Sequence, residues 1–307
     1  MKILIAGASG LIGHALVDAL EKKGHQVITL VRKKNLTGPE AVFWDPEQQQ
    51  LDPDQIEGVD AIINLAGENV ASGRWSDDKK KNIHDSRVNC TMLLSSTVAK
   101  LRKKPHVWIN ASAIGYYGDR GNEPLTENSA PGSAFLSKVC QDWETAVSSG
   151  GTRVVVLRIG IVLSGHGGAL KRMLPPFKMG LGGILGTGQQ YMSWIALPDL
   201  VDIFLFALEK ESLSGPVNAV SPQPLTNQEF TETLGSFLGR PTVFPVPAFA
   251  ARLLFGEMAD ELLLSSARVV PEKLQQSGYA FKYPYLENAL EAVLNPNQNE
   301  IAASPPQ

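Results

Sequence analysis

Through the first 160 positions, short and nearly continuous apolar runs alternate with longer stretches whose apolar residues recur at three- and four-residue spacing. Residues 2–7 (KILIAG) read as a buried strand. Residues 11–24 (LIGHALVDALEKKG) have helical spacing and end at a glycine, and 26–32 (QVITLVR) form a second strand. Further strands are predicted at 58–67 (GVDAIINLAG), 106–112 (HVWINAS) and 152–160 (TRVVVLRIG), with a short one near 42–44. Helices are predicted at roughly 76–103, in two pieces, and at 135–149. Apolar strands separated by amphipathic helices specify an α/β fold, a doubly wound parallel sheet covered on both faces.

After residue 160 the rhythm breaks. Residues 180–190 (GLGGILGTGQQ) are a glycine-rich loop, read as a flexible lid on the substrate side. Residues 196–210 are an amphipathic helix. The stretch 225–241 is a helix opened by Thr226 with Glu229 three residues on, a capping pattern, and closed at Gly239. Helical pieces follow at 247–256, 258–266, 271–277 and 284–294. The expected organisation is a Rossmann-type domain over 1–160, to which the chain returns within 195–220. A smaller, mostly helical C-terminal lobe then covers 161–294, and a polar, proline-rich tail over 295–307 is expected to be disordered.

Composition narrows the function classes. The chain has 307 residues, 43% hydrophobic and 19% charged, with a formal net charge of -3. That balance argues against a nucleic-acid partner and against a polybasic membrane surface. No apolar run reaches the roughly 18–20 residues of a membrane span. The N-terminal apolar stretch is not read as a signal peptide, because its glycines fall at phosphate-loop spacing and an amphipathic stretch follows. Two cysteines, Cys90 and Cys140, lie outside any C-x-x-C spacing and fit packed, reduced thiols in a cytoplasmic protein. The five histidines form no metal-binding pattern, so no metal is expected.

The chemistry begins at residues 7–13, where Gly7, Gly10 and Gly13 stand between a predicted strand and a predicted helix. Glycines in that context let a dinucleotide pyrophosphate approach the main chain, and the helix start offers free N–H groups to it. The second strand ends in Arg32 and Lys33, with no carboxylate to hold a ribose 2′-hydroxyl. Two cations there fit a 2′-phosphate, so NADP(H) is favoured over NAD.

GASGLIG, NLAG (64–67), NASAIGYYG (110–118) and LRIGIVLS (157–164) occur in an order that resembles the extended and atypical short-chain dehydrogenase/reductases. NLAGENVASGRWSDDKKKNIHDSRV (64–88), FLSKVCQDWE (135–144), SWIALPDLV (193–201) and the stretches 238–264 and 269–284 are more particular. They resemble the YfcH-like epimerase family proteins, over nearly the whole chain to about residue 294. The resemblance implies that Gly7, Ser9, Gly10, Leu11, Ile12 and Gly13 meet the pyrophosphate, and that Arg32 and Lys33 meet the 2′-phosphate. It also implies that Leu65, Ala66 and Gly67 lie along the adenosine side, and that Gly160 and Ile161 pass the nicotinamide amide. Ser112 falls where the superfamily's serine holds the reacting oxygen, and Lys138 where its lysine holds the nicotinamide ribose.

Departures from the superfamily pattern limit the carry-over. The proton-transferring tyrosine stands four residues before the lysine, where phenol and ammonium share a helix face, and here that position is Ala134. Tyr116 and Tyr117 follow Ser112 closely; Tyr117 is a candidate catalytic phenol and Tyr116 a candidate substrate contact, with plain packing as the alternative for both. Arg87 would either hold an anionic substrate group or pair with Asp85. Two functions are therefore carried forward. One is NADP(H)-dependent hydride transfer to or from a small carbonyl or sugar-like substrate, which includes epimerisation. The other is a non-catalytic NADP(H)-binding redox sensor or interaction module. A homodimer is compatible with such folds.

Overall fold

Residues 1–148 and 150–295 are described by the computed structural model of this chain. The first apolar run becomes β1 (Lys2–Ala6), buried from Ile3 onward, and enters α1 (Leu11–Lys22) through the glycine loop. Alternation continues through β2 (Gln26–Val31), β3 (Ala41–Phe43), β4 (Ala61–Asn64), α2 (Asp77–Lys100), β5 (Val107–Ala113), β6 (Pro124–Leu125), α3 (Phe135–Thr145) and β7 (Arg153–Ile159). Beyond these lie β8 (Ile161–Leu163), α4 (Gly168–Lys178), β9 (Tyr191–Met192), β10 (Trp194–Ala196), α5 (Leu197–Glu209) and β11 (Gly215–Ala219). The remainder comprises β12 (Leu225–Thr226), α6 (Asn227–Phe237), α7 (Ala248–Phe255), α8 (Glu257–Leu262), β13 (Arg268–Val269), α9 (Glu272–Gln276) and α10 (Leu286–Leu294).

Seven strands form one sheet in the order β11-β7-β5-β4-β1-β2-β3. The pairs β1–β2, β1–β4, β2–β3 and β4–β5 are parallel. The chain winds outward from β1 in one direction through β2 and β3, then in the other through β4 and β5. The switch point lies between β1 and β4, where such sheets open a crevice at their carboxyl ends. The register keeps those ends level: Ala6 pairs with Asn64 and Leu30, and Asn64 pairs with Asn110. The loops that follow β1 and β4 therefore leave the sheet at one height, and β5 runs three residues further, to Ala113.

The chain divides into two compact units. The first comprises Met1–Tyr116, Pro131–Arg158 and Val201–Val217; the second comprises Tyr117–Ala130, Ile159–Leu200 and residues from Asn218 onward. In the first, Leu4, Ile28, Leu30, Trp44, Ile62, Leu94 and Trp108 pack a buried core. In the second, Leu163, Leu174, Phe177, Trp194, Phe230, Leu286 and Leu290 build another. Among the described residues no helix is long and apolar enough to cross a membrane. Of the tail expected to be disordered (295–307), residues 296–307 lie outside the described residues.

One helix differs from the sequence expectation and another keeps to it. The region read as two helices over 76–103 is one 24-residue helix, α2, capped by the Ser76 side chain, which accepts the Lys79 N–H at 3.2 Å. The hydroxyls of Thr91, Ser96 and Thr97 donate to carbonyls one turn back (Arg87, Leu93 and Leu93), so these polar groups are satisfied within the helix. In the C-terminal part, α6 starts as its sequence prescribes. Thr226 accepts the Glu229 N–H while the Glu229 carboxylate accepts the Thr226 N–H at 2.7 Å.

Candidate dinucleotide site

The glycine loop is shaped by how little room its residues have. Gly7 has φ +84°, and a Cβ there would stand 2.7 Å from the Leu65 carbonyl carbon. A Cβ on Gly13 would stand 2.4 Å from the Gly7 carbonyl oxygen and 2.7 Å from the Ala8 backbone. Gly10 is the N-cap of α1 and no side chain caps it. The amide groups of the first turn therefore face outward with the positive end of the helix dipole, beside exposed Ser9 and half-buried Leu11 and Ile12. A loop this tight, with an uncapped helix start, fits a diphosphate: the glycines keep side chains out of the space an anion would need.

The neighbouring turn at Leu65, Ala66 and Gly67 is fixed by buried amides. Asn64 donates to the Asn110 side-chain oxygen at 2.8 Å and to Thr91 Oγ1 at 3.0 Å, and accepts the Ala66 N–H at 3.2 Å. Thr91 Oγ1 also accepts from the Trp143 indole at 3.0 Å. In the sequence Asn64 and Asn110 stand only as the first residues of the NLAG and NASAIGYYG runs. Their work is to hold the β4 turn open at the switch point, and an asparagine within each of two apolar strands, one ending β4 and its register partner inside β5, is the signal that could have marked them.

Arg87 lies beneath this turn. A Cβ on Gly67 would meet its guanidinium carbon at 3.0 Å. It donates to the carbonyls of Ile83 (2.8 Å) and Glu68 (3.0 Å) and lies 5.2 Å from the Trp143 ring centre. Burial holds its pKa below the ordinary arginine value. The alternative pairing with Asp85 is not formed: Asp85 binds Lys81 and His84. Arg32, exposed at the end of β2, is close enough to act electrostatically on Glu68, whose carboxyl is held below its usual range chiefly by the Lys79 ammonium. Lys33 is exposed beside it.

At the end of β5 the arrangement departs from expectation. Ser112 is 3% exposed and its hydroxyl donates to Glu144 Oε1 at 2.7 Å. Glu144 in turn accepts from Arg158 Nε at 2.9 Å and Nη2 at 2.8 Å, and the Arg158 guanidinium stacks 3.4 Å above the Tyr116 ring. A serine hydroxyl has one proton, and here it is committed to an internal carboxylate, so Ser112 as arranged cannot donate to a substrate oxygen. Sequence reading missed Glu144 and Arg158 altogether, because partners on α3 and β7 share no local pattern.

The loop carrying Tyr116 is tied to the start of α3. Ser137 Oγ donates to the Gly115 carbonyl and the Gly132 N–H to the Tyr116 carbonyl, each at 2.9 Å. Ala134 is the N-cap of α3, and Lys138 one turn later is exposed. Phe135, between them, meets Trp75 edge-on at 5.3 Å, which docks the segment after β4 onto this helix start.

Tyr117 belongs to the second unit and is 0% exposed; its hydroxyl donates to Asn218 Oδ1 at 2.6 Å. The expected catalytic phenol is thus an interior hydrogen-bond donor, because the backbone turn that leaves Tyr116 half-buried sends the next side chain into the core. Asn218 is held by Glu127, which accepts its N–H at 3.0 Å. Gly160 and Ile161 also lie in this unit. A Cβ on Gly160 would stand 2.7 Å from the Ser193 carbonyl oxygen, and the Ile161 N–H donates to that oxygen at 2.9 Å.

Burial pushes the Cys90 thiol up to about 12 and the Cys140 thiol up to about 11, so both stay protonated at neutral pH. Folded protein at pH 8 is expected to leave both thiols unreacted with a disulfide reagent over minutes, and two per chain to react in denaturant. Rapid labelling of the folded chain would contradict the burial. The sign of the linkage is that folding favours the neutral thiol. This contribution is complete below the unfolded thiol pKa and falls as pH rises through the window from there to about 11–12.

Comparison with known proteins places this geometry. The NAD dependent epimerase/dehydratase family matches residues 3–219, and a domain of unknown function (DUF1731) matches residues 246–293. An epimerase family protein of Mycobacterium leprae is 44% identical over 301 residues, covering 97% of each chain. Human epimerase family protein SDR39U1 is 36% identical over 299 residues, covering 96% of this chain and all of its own. A crystal structure of human SDR39U1 with NADPH superposes with a TM-score of 0.88 at 35% identity, over 96% of this chain and 99% of that one. A nucleoside-diphosphate sugar epimerase structure from Corynebacterium glutamicum gives a TM-score of 0.78 at 36% identity, over all of this chain and 62% of that one. With its family match spanning most of the chain and its loop, switch point and strand order arranged as above, the chain belongs to the NAD dependent epimerase/dehydratase family.

Proposed function

We propose that the chain binds NADP(H) and uses it for reversible hydride transfer to or from a small carbonyl or sugar-like substrate. The observation that carries the reading is the cradle at the switch point. Two glycines whose Cβ positions would strike backbone stand there beside an uncapped helix start, with Arg32 and Lys33 at the end of β2 and no carboxylate between them. The NADPH in the human SDR39U1 structure supports it.

In this reading the amides at the start of α1, with Ser9, hold the diphosphate, and Arg32 and Lys33 clasp the 2′-phosphate. Leu65, Ala66 and Gly67 line the adenosine side, and the Lys138 ammonium holds the second ribose. Bound nicotinamide supplies or accepts the hydride; the protein supplies position and field. Arg87, a half-buried permanent charge beneath Gly67, and the half-buried Tyr116 serve the substrate side. Ser112 and Tyr117 act through Glu144 and Asn218, not by touching the reacting atoms.

Replacing Arg32 by Asp is expected to weaken NADPH binding about 30-fold and NADH binding less than about threefold, because only NADPH offers a phosphate to a guanidinium. Fluorescence titration of both reduced coenzymes measures it, and an equal loss for the two would overturn the cofactor assignment. A second reading, a binding module without turnover, is favoured by Ala134, which has no proton to give. NADPH deuterated at C4, incubated with a panel of carbonyls and sugar nucleotides, separates the two. Stereospecific loss of label supports hydride transfer; binding without loss across the panel supports the module.

A further inference from the structure

The second unit carries an apolar helix that its own core leaves uncovered. Helix α7 reads AFAARLLF, yet Ala251 is its one buried residue. Phe249 and Leu253, one turn apart on one face, are 71% and 73% exposed, and Leu254 beside them is also mostly exposed. An apolar helix normally earns its stability by burying that face.

The apolar surface continues onto the chain that precedes the helix. Val243 bridges Gly183 and Val246 bridges Leu185, with the Val246 N–H donating to the Ile184 carbonyl at 2.8 Å. Pro247 then caps α7, so this ribbon runs directly into the helix. On the ribbon Leu181, Val243 and Phe244 are each more than half exposed. These six residues are 55–73% exposed, which for side chains of their size amounts to roughly 800 Å² in all, where the largest patch on a typical monomer is about 300–600 Å² and a standard interface covers about 800 Å² per partner.

Charge decides between occupants. The cation on α7, Arg252, is already neutralised by Asp260 at 2.8 Å, and α8 adds Glu257 and Glu261 next to the patch. A bilayer carrying anionic lipids would meet carboxylates where membrane-binding helices present lysines and arginines. The centre of the patch is uncharged and apolar, and at half-interface size it fits a surface like itself, with the carboxylates of α8 left at the solvated rim.

We propose that two copies of this chain associate about a twofold axis through α7 and the 181–184 and 243–246 ribbon, each helix packing its Phe249–Leu253 face on the same helix of the other copy. Such an isologous contact uses one patch twice and closes on itself. Sedimentation equilibrium of the full chain from 1 to 100 µM tests it, alongside Phe249→Asp and Leu253→Asp. The wild type is expected at twice the 33.2 kDa chain mass. Both variants are expected at the single-chain mass, with NADPH affinity and melting temperature close to those of wild-type monomer. Both positions are exposed, so folding is preserved; a variant that nevertheless melts early is replaced by Phe249→Ser and judged by the same mass. A wild type that stays at one chain mass at 100 µM overturns the proposal, as does a dimer that survives both substitutions. So does a monomer that floats with phosphatidylglycerol vesicles and loses that binding in the variants.

Discussion

Gly13→Ala is expected to lower NADPH affinity by at least about 100-fold, about 2.7 kcal/mol. The added methyl has nowhere to go. It would stand 2.4 Å from the Gly7 carbonyl oxygen and 2.7 Å from the Ala8 Cα, both backbone atoms, so relief requires the loop itself to open. Opening it moves the amides that meet the diphosphate. Gly10→Ala is the matched comparison, since its Cβ meets one atom, the Gly7 oxygen, at an ordinary 3.5 Å. Calorimetric titration of the two variants, each with its circular dichroism spectrum, reads the difference. Undiminished affinity in Gly13→Ala with a native spectrum would show that the cofactor does not use this loop.

Arg158→Leu is expected to cost about 3–5 kcal/mol of stability, the usual price of stranding one member of a buried ion pair. Both partners are largely out of water, with side-chain exposures of 4% for Arg158 and 15% for Glu144. Removing the guanidinium leaves the Glu144 carboxylate with the Ser112 hydroxyl and uncovers the Tyr116 ring. A fall in Tm on the order of 10 °C follows from that loss. The double variant Glu144→Leu/Arg158→Leu is expected to recover at least half of it, since no charge is then left buried. Chemical denaturation of wild type, both single variants and the double variant completes the cycle. A single-variant loss below about 1 kcal/mol would mean that water reaches the pair and that it behaves as a surface bridge.

The sheet was legible because its strands are largely apolar on both faces, as in residues 3–6, 27–31 and 154–157. The same continuity hid the facing of their side chains. In VWINASA every residue but the last is buried, so no alternation told which way Ser112 points, and the reading by resemblance turned it toward a substrate. Helix α4 contains Pro175 and Pro176, which argue against a helix in any local reading. The two-residue ladders β6–β13 and β9–β12 join distant positions and leave no periodic trace. The glycine loop and the cations after β2 could be read because their chemistry is local. The Ser112–Glu144–Arg158–Tyr116 chain could not, since it assembles only when β5, α3 and β7 have come together.

The first unit takes its last segment, Val201–Val217, from late in the chain. Strand β7 pairs with β11, and Arg153 donates to the carbonyls of Ala207, Leu208 and Leu213. At roughly 5–20 residues per second, a ribosome takes several seconds to travel from β7 to β11. During that interval the nascent chain presents an unpaired sheet edge and a charged side chain awaiting its carbonyls. Fragments that stop near residue 160 should therefore be recovered aggregated or chaperone-bound, and the full chain, with β11 and the second core both in place, should stay in solution.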